Sequence, residues 1–234
     1  MILALTLFAL SAQAQQWQTY EGTAVNDKGE VQYTEKHRAL FDKDQRILEA
    51  KTQYFSAEGK LLGTMSSSFR EKVSAPAYTY LDHRDGSKHG IRHDKGKVIL
   101  FTQDKGQPEK TKLIESDETR LPVGCQGLHY YLRDRLEQAK QKVNLPLQFL
   151  IPGKLDYYSF ELKYTESQGQ VMKFDIEISN FFLKLFAPKL VVHYDTKTKR
   201  LVHYEGLSNI TDENGDLQNV TIKYNYSPMS PKSS

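Results

Sequence analysis

From Gln18 nearly to the C-terminus, runs of strand length alternate polar with apolar residues, and turns bearing Gly or Asn cut one run from the next. Met172, Phe174, Ile176 and Ile178 stand against Lys173, Asp175, Glu177 and Ser179. Tyr158, Phe160, Leu162 and Tyr164 stand against Glu161 and Lys163, and Val220, Ile222, Tyr224 and Tyr226 against Thr221, Lys223 and Asn225. A period of two puts one face of each run in a core and the other in water. Between the runs, Asn26-Asp-Lys-Gly29, Ala57-Glu-Gly59, Asp94-Lys-Gly96 and Asp212-Glu-Asn-Gly215 supply the positive φ that tight hairpins need. Short turns between such runs predict an antiparallel meander.

One stretch departs from that period. Between Gln126 and Val143, Leu128, Leu132, Leu136, Ala139 and Val143 recur three or four apart, with Arg133, Glu137 and Lys140 on the other side. This is the stripe of an amphipathic helix. Pro122 and Gly124 precede it and Asn144-Leu-Pro146 ends it, so one helix is expected over about 126–143. It separates a first sheet half, about Gln18 to Glu115, from a second, about Pro146 to Tyr226. The fold class is therefore mainly β: a curved antiparallel sheet of hairpins, a half-barrel or open barrel, with one amphipathic helix inserted mid-chain. A single domain is expected over 15–226, with a disordered tail at 227–234, where Pro228, Pro231 and four serines gather.

The first fourteen residues carry no charge, run apolar to Leu10 and end in Ala12-Gln13-Ala14. They read as a secretory signal cleaved near Ala14, too short to span a bilayer, which predicts a periplasmic or secreted product with no stable transmembrane anchor. Net charge is only +3, with Lys and Glu interspersed, so no concentrated basic face marks a nucleic-acid partner. The single Cys125 excludes an intrachain disulfide and lies too far from the cleavage site to carry a lipid anchor. Asn209-Ile-Thr211 and Asn219-Val-Thr221 match the glycosylation sequon.

In the C-terminal half, the runs Asn144-Leu-Pro-Leu-Gln-Phe-Leu-Ile-Pro-Gly-Lys-Leu-Asp156, Leu190-Val-Val-His-Tyr-Asp195 and Arg200-Leu-Val-His-Tyr-Glu-Gly-Leu-Ser-Asn209 resemble an uncharacterised group of exported bacterial proteins. That group is in turn remotely similar to the periplasmic lipoprotein-carrier (LolA-like) half-barrels. The resemblance covers roughly the last ninety residues and rests on strand-and-turn patterns. It implies a curved antiparallel sheet wrapped about a hydrophobic cavity that helices close, and it carries over no functional residue.

Candidate chemistry is sparse. His83, His89 and His93 stand among Asp82, Asp85 and Asp94, and His89 and His93 share a face if the segment is a strand. They are weak metal candidates, because the spacing fits no established ligand signature and Gly86 and Gly90 point to a hairpin. Cys125 with His129 one helical turn on has the makings of a thiol nucleophile and base, but Cys125 also extends the apolar series of Leu128 and Leu132. No nucleophile elbow, P-loop or dinucleotide fingerprint occurs, and no cofactor is expected.

The stretch Phe181-Phe182-Leu183-Lys184-Leu185-Phe186 is more apolar than a hairpin tip tolerates. It suits a cavity mouth, a membrane, a partner or a short packed crossover. The leading expectation is a noncatalytic envelope protein that binds a lipid or acyl chain in its concave sheet, through Phe181, Phe182, Leu185, Phe186, Phe160 and Phe174. The alternatives are a protein-interaction module with a filled core, a metal-dependent hydrolase using the histidines, and an outer-membrane barrel. Polar alternation such as Glu49-Lys51-Gln53 and the internal helix argue against the last.

Overall fold

The computed structural model describes residues 15–115, 117–141, 144–180 and 189–231. The signal segment expected at 1–14 and the apolar residues Phe181, Phe182, Leu185 and Phe186 lie outside them. The first half folds as β1 (Gln16–Val25), β2 (Val31–Phe41), β3 (Ile47–Ser56), β4 (Leu61–Ser68), β5 (Ala77–Asp82), β6 (Lys88–Asp94), β7 (Lys97–Gln103) and β8 (Lys110–Ile114). Then come β9 (Leu121–Gly124), α1 (Gly127–Arg133), α2 (Leu136–Gln141) and β10 (Leu145–Ile151). The remainder is β11 (Asp156–Gln168), β12 (Val171–Ile178), β13 (Leu190–Asp195), β14 (Arg200–Thr211), β15 (Leu217–Tyr226) and the short β16 (Ser230–Pro231).

All belong to one sheet, ordered β8-β7-β6-β5-β4-β3-β2-β1-β15-β14-β13-β12-β11-β10-β9, with β16 on the flank of β1. Two meanders are thus fused where the first strand meets the fifteenth, Tyr20 opposite Tyr226 and Ala24 opposite Ile222. The order ends at β8 and β9, so the sheet is open and curved and does not close into a barrel. This is the fold class expected from the alternating runs. Residues from Ser227, expected as a disordered tail, instead follow β1 as far as Pro231: Ser227 N donates to Thr19 O at 3.0 Å and Ser230 pairs with Trp17.

The last pair in the order breaks the antiparallel rule. β9 and β10 run parallel, Leu147 opposite Leu121 and Phe149 opposite Val123. Parallel neighbours cannot be joined by a hairpin and need a crossover of a dozen residues or more. α1 and α2 are that crossover. The single helix expected over 126–143 is therefore two short ones, parted at Asp134 and Arg135, where Arg135 N donates to Leu132 O at 2.8 Å. The break preserves the apolar stripe, since Leu128, Leu132, Leu136 and Ala139 all enter one core with Leu147, Leu162, Phe174, Ile176, Val192 and Tyr194.

β10 is covered on both faces. Leu145 and Leu147 face the helices, whereas Leu150 packs into the core of the first half with Tyr78, Ile91, Val98, Leu100 and Ile114. Gln148 and Leu150 are each only 2% exposed. The sheet has rolled so that its β9–β10 edge packs against β5–β8 of the first half.

α1 sits where the two parts meet. Its Tyr130 packs among Ala39, Phe41, Ile47, Ala50 and Phe69 of the first half, and its Leu128 and Leu132 among the strands of the second. Beneath it Tyr20 is stacked between His37, ring centroids 4.2 Å apart, and Tyr226, 4.6 Å apart. The Tyr20 and Tyr130 hydroxyls meet at 3.3 Å. His129 turns the other way, with Nδ1 3.3 Å from the Tyr194 hydroxyl.

Two outcomes follow from this seating. Gly127 is buried so close to the 74–76 loop that a β-carbon there would lie 1.9 Å from the Ser74 carbonyl oxygen. Backbone cannot yield as a side-chain tip can, so Gly127→Ala is expected to destabilise the fold by about 1–3 kcal/mol or more in urea unfolding. A substitution without effect would mean that α1 is not seated as described.

The second outcome concerns pH. Burial, reinforced by the Arg133 charge and then by His37, pushes the His129 pKa from 6.5 down to about 3. Between those values the unfolded chain binds a proton that the folded chain refuses. The stabilisation is therefore complete above pH 6.5 and is lost as pH falls toward about 3, at a slope of at most about 1.4 kcal/mol per pH unit. Denaturant unfolding of the protein and of His129→Gln across this window is expected to give a shallower slope for the variant. Equal slopes would remove His129 from the account.

Candidate functional site

The concave face of β9–β12 carries rows of apolar side chains fixed by strand register. One row is Leu121, Leu147, Phe160 and Ile178, and the next holds Val123, Phe149 and Tyr158. The row nearer the helices, Leu145, Leu162 and Ile176, is buried. Toward the other end the cover is partial, with Leu147 and Val123 still fully buried. Leu121, Phe149, Phe160 and Ile178 are only partly buried, and Tyr158 is 37% exposed. Phe149 and Phe160 hold each other in a tilted contact with ring centroids 5.6 Å apart, and the Lys154 ammonium stands 6.0 Å over the Tyr158 ring. The result is an aromatic rim where the packed core meets solvent.

The chain passes this rim again at the end of β12. Ile178 is opposite Phe160, and Ser179 N donates to Ser159 O at 2.8 Å. The apolar residues Phe181, Phe182, Leu185 and Phe186 follow at once in sequence. Phe160, expected as a ligand contact, therefore lies on the rim. Phe174, expected beside it, is fully buried, edge-on to Tyr164 and Tyr194, because its register position falls at the helix-covered end of β12. Alternation assigns both residues to one face but cannot say which end of the strand remains open. Leu121, Phe149, Tyr158 and Ile178 were not among the expected ligand contacts, although Tyr158 and Ile178 belong to the alternating runs. The continuous run Leu145–Ile151, apolar apart from Gln148, was the available signal of a strand covered on both sides.

The hollow of the N-terminal half is filled. Tyr33, Tyr54 and Tyr80 are buried there, beside a polar row that crosses four elements. Glu35 Oε2 meets His37 Nε2 at 2.7 Å, and His37 Nδ1 meets Thr52 Oγ1 at 2.9 Å. Gln126, the residue before α1, donates to Thr52 Oγ1 at 2.6 Å and accepts from Ser67 Oγ at 3.3 Å. A hydroxyl, an imidazole and a carboxylate in line have the connectivity of a nucleophile triad. Thr52 is only 1% exposed and Glu35 4%, so no substrate reaches the hydroxyl, and the row serves to hang α1 from β3 and β4.

The remaining candidates are not brought together. His83 lies exposed in the β5–β6 turn near Thr64, while His89 packs on Tyr80 and His93 meets Ala75 O at 3.0 Å. His89 and His93 share a strand face four residues apart, about 13 Å along a strand, which is too far for one ion. No group of three metal-ligating side chains occurs among the described residues. Cys125 and His129 also point apart. The thiol lies 3.6 Å from Met65 Sδ, and burial pushes its pKa up to about 12, opposite to what a nucleophile needs.

Among the described residues no helix is long and apolar enough to cross a membrane. No protein-family model matches the chain, and no curated protein matches it significantly. Solved structures do. A β-barrel-like protein of the domain of unknown function DUF1849 from Brucella abortus matches over 94% of this chain and 98% of its own, at 6% identity and a TM-score of 0.43. A domain from Vibrio parahaemolyticus described as an outer membrane lipoprotein-sorting protein matches over 96% and 88%, at 10% identity and a TM-score of 0.27. A porin-like protein from Bacteroides uniformis matches over 89% and 97%, at 10% identity and a TM-score of 0.25.

Proposed function

We propose that this is a noncatalytic, exported envelope protein that holds a lipid or acyl chain against the open end of its concave sheet. The observation that carries the reading is the aromatic rim: Leu121, Phe149, Tyr158, Phe160 and Ile178 present one apolar face across four adjacent strands and are left half covered. Partly wetted aromatic surface continuous with a core is what an apolar chain can cover at a gain of about 25 cal/mol per Å². Phe181, Phe182, Leu185 and Phe186 follow β12 directly and would add contacts from the adjoining segment. The described interior is packed, so the ligand lies along the rim and reaches deeper only by displacing α1 and α2, each of two turns or fewer and marginal without its tertiary contacts.

A second reading, a protein-interaction module with a filled core, is favoured by one observation. A groove of about 430 Å³ crosses the outer face of β1–β7, between Trp17 and Phe101, over a floor that includes Ser66, Ser68 and Thr79. Its mixed lining, with Trp17, Ala77 and Phe101 beside Ser66, Ser68 and Thr79, suits a partner's surface, which covers apolar and polar groups together.

Native mass spectrometry separates the two. Protein purified from its exported compartment without detergent is expected to carry near-stoichiometric lipid, which organic extraction would identify. Phe149→Ser with Phe160→Ser, or Phe182→Ser with Phe186→Ser, is expected to abolish retention while the far-ultraviolet circular dichroism stays β-rich. A lipid-free mass that also fails to take up added lipid would overturn the carrier reading and leave the interaction module.

A further inference from the structure

A second, smaller recess lies at the other end of the sheet. The rim is at the Ile178 end of β12, whereas the β13–β14 turn stands at the Val171 end, with Asp195 opposite Val171. There α1, β1, the end of β2, the end of β15 and that turn enclose a pocket of about 40 Å³. Two arginines line it. The Arg133 guanidinium lies over the Phe41 ring at 4.2 Å, donates from Nη2 to Gln45 O at 3.2 Å and has Nε 3.9 Å from Asp134. Its Nη1 is buried without an acceptor. The Arg200 guanidinium lies 4.8 Å over the Tyr226 ring and donates from Nη2 to Gln18 Oε1 at 3.0 Å.

A guanidinium stacked on an aromatic ring keeps its N–H edge free in the plane, the geometry that grips a carboxylate or phosphate. The other lining groups agree with that use. The Tyr20 and Tyr130 hydroxyls share one hydrogen bond, so one O–H is left to donate, and burial raises both pKa values, Tyr130 to about 12, which keeps them protonated. Lys199 stands exposed at the lip, its backbone at φ 57°. Of the carboxylates at hand, Asp134 is drawn to Arg133 Nε, and Asp195, which is opposite Arg200 in the ladder and feels its charge, accepts from the Thr198 amide and hydroxyl, each at 2.7 Å. His129, held neutral, adds no charge.

A buried charged donor without an acceptor is costly, and an anionic oxygen in the pocket would remove that cost. We infer that the recess between Arg133, Arg200 and Lys199 is a binding site for one oxyanion group, a carboxylate or a phosphate, presented by a small molecule or at the end of a larger one. It is independent of the apolar rim. Failure of lipid binding there leaves this site untouched.

The test is isothermal titration of the protein with inorganic phosphate and with acetate, in chloride buffer at constant ionic strength, alongside thermal unfolding. Saturable binding and a rise in Tm are expected with at least one anion. Phosphate alone would assign a phosphate group, acetate alone a carboxylate, and both a site that takes either; each supports the inference. Arg200→Gln is expected to weaken binding about tenfold or more, the effect of losing one charge-assisted pair. Lys199→Met at the exposed lip should weaken it less. Because Arg133 also packs on Phe41, Arg133→Lys is paired with Arg133→Gln: the lysine keeps the charge but loses the planar fork, and binding should still fall while the near-ultraviolet circular dichroism stays native. Absence of saturable binding for both anions, or undiminished binding in natively folded Arg200→Gln, would overturn the inference.

Discussion

The burial of α1 between the two halves of the rolled sheet is the constraint on which the rest of the molecule depends. An open sheet this wide exposes an apolar concave face unless something fills it. α1 does so with opposite sides, Tyr130 toward the first half and Leu128 and Leu132 toward the second. Its start is fixed twice, by Gln126 in the polar row from Glu35 to Ser67 and by the close approach of Gly127 to Ser74. A helix of seven residues has little stability of its own, so these tertiary contacts make it a helix at all.

The same arrangement explains why the second half of the sheet is covered at one end only. α1 and α2 form the crossover between the parallel strands β9 and β10, so they must lie over the strands they connect. They reach the row of Leu145, Leu162 and Ile176 and leave Phe149, Tyr158 and Phe160 half wetted. The rim and the arginine pocket thus lie at opposite ends of one concavity. The first owes its character to missing cover. The second owes it to Arg133 of α1, which stacks on Phe41 at the margin of the core.

Much of the hairpin content is legible in the sequence. The alternating runs at 158–164, 172–178 and 220–226 are β11, β12 and β15, and the Gly and Asn turns join neighbours as expected. Less is legible about the site. Phe160 and Phe174 read alike by alternation, yet one lies on the rim and the other in the core, because helix cover is decided by packing. Val143 and Leu136 both continue a helical stripe, but nothing local marks the break at Asp134 and Arg135. Arg133 reads as a solvated helix face. Only the approach of Phe41 and Gln45, about ninety positions earlier, turns it into a buried donor.

The sequence by itself determined the mainly β class, the succession of hairpins and the position of the helical interruption, because each rests on local periodicity and turn chemistry. Only the tertiary structure decided that β1 joins β15, that β9 and β10 run parallel and that the polar residues Glu35, His37, Thr52 and Gln126 meet in the interior. Those are pairings between residues far apart in the chain. They are settled by which faces must leave water together, and no window of neighbouring residues carries that information.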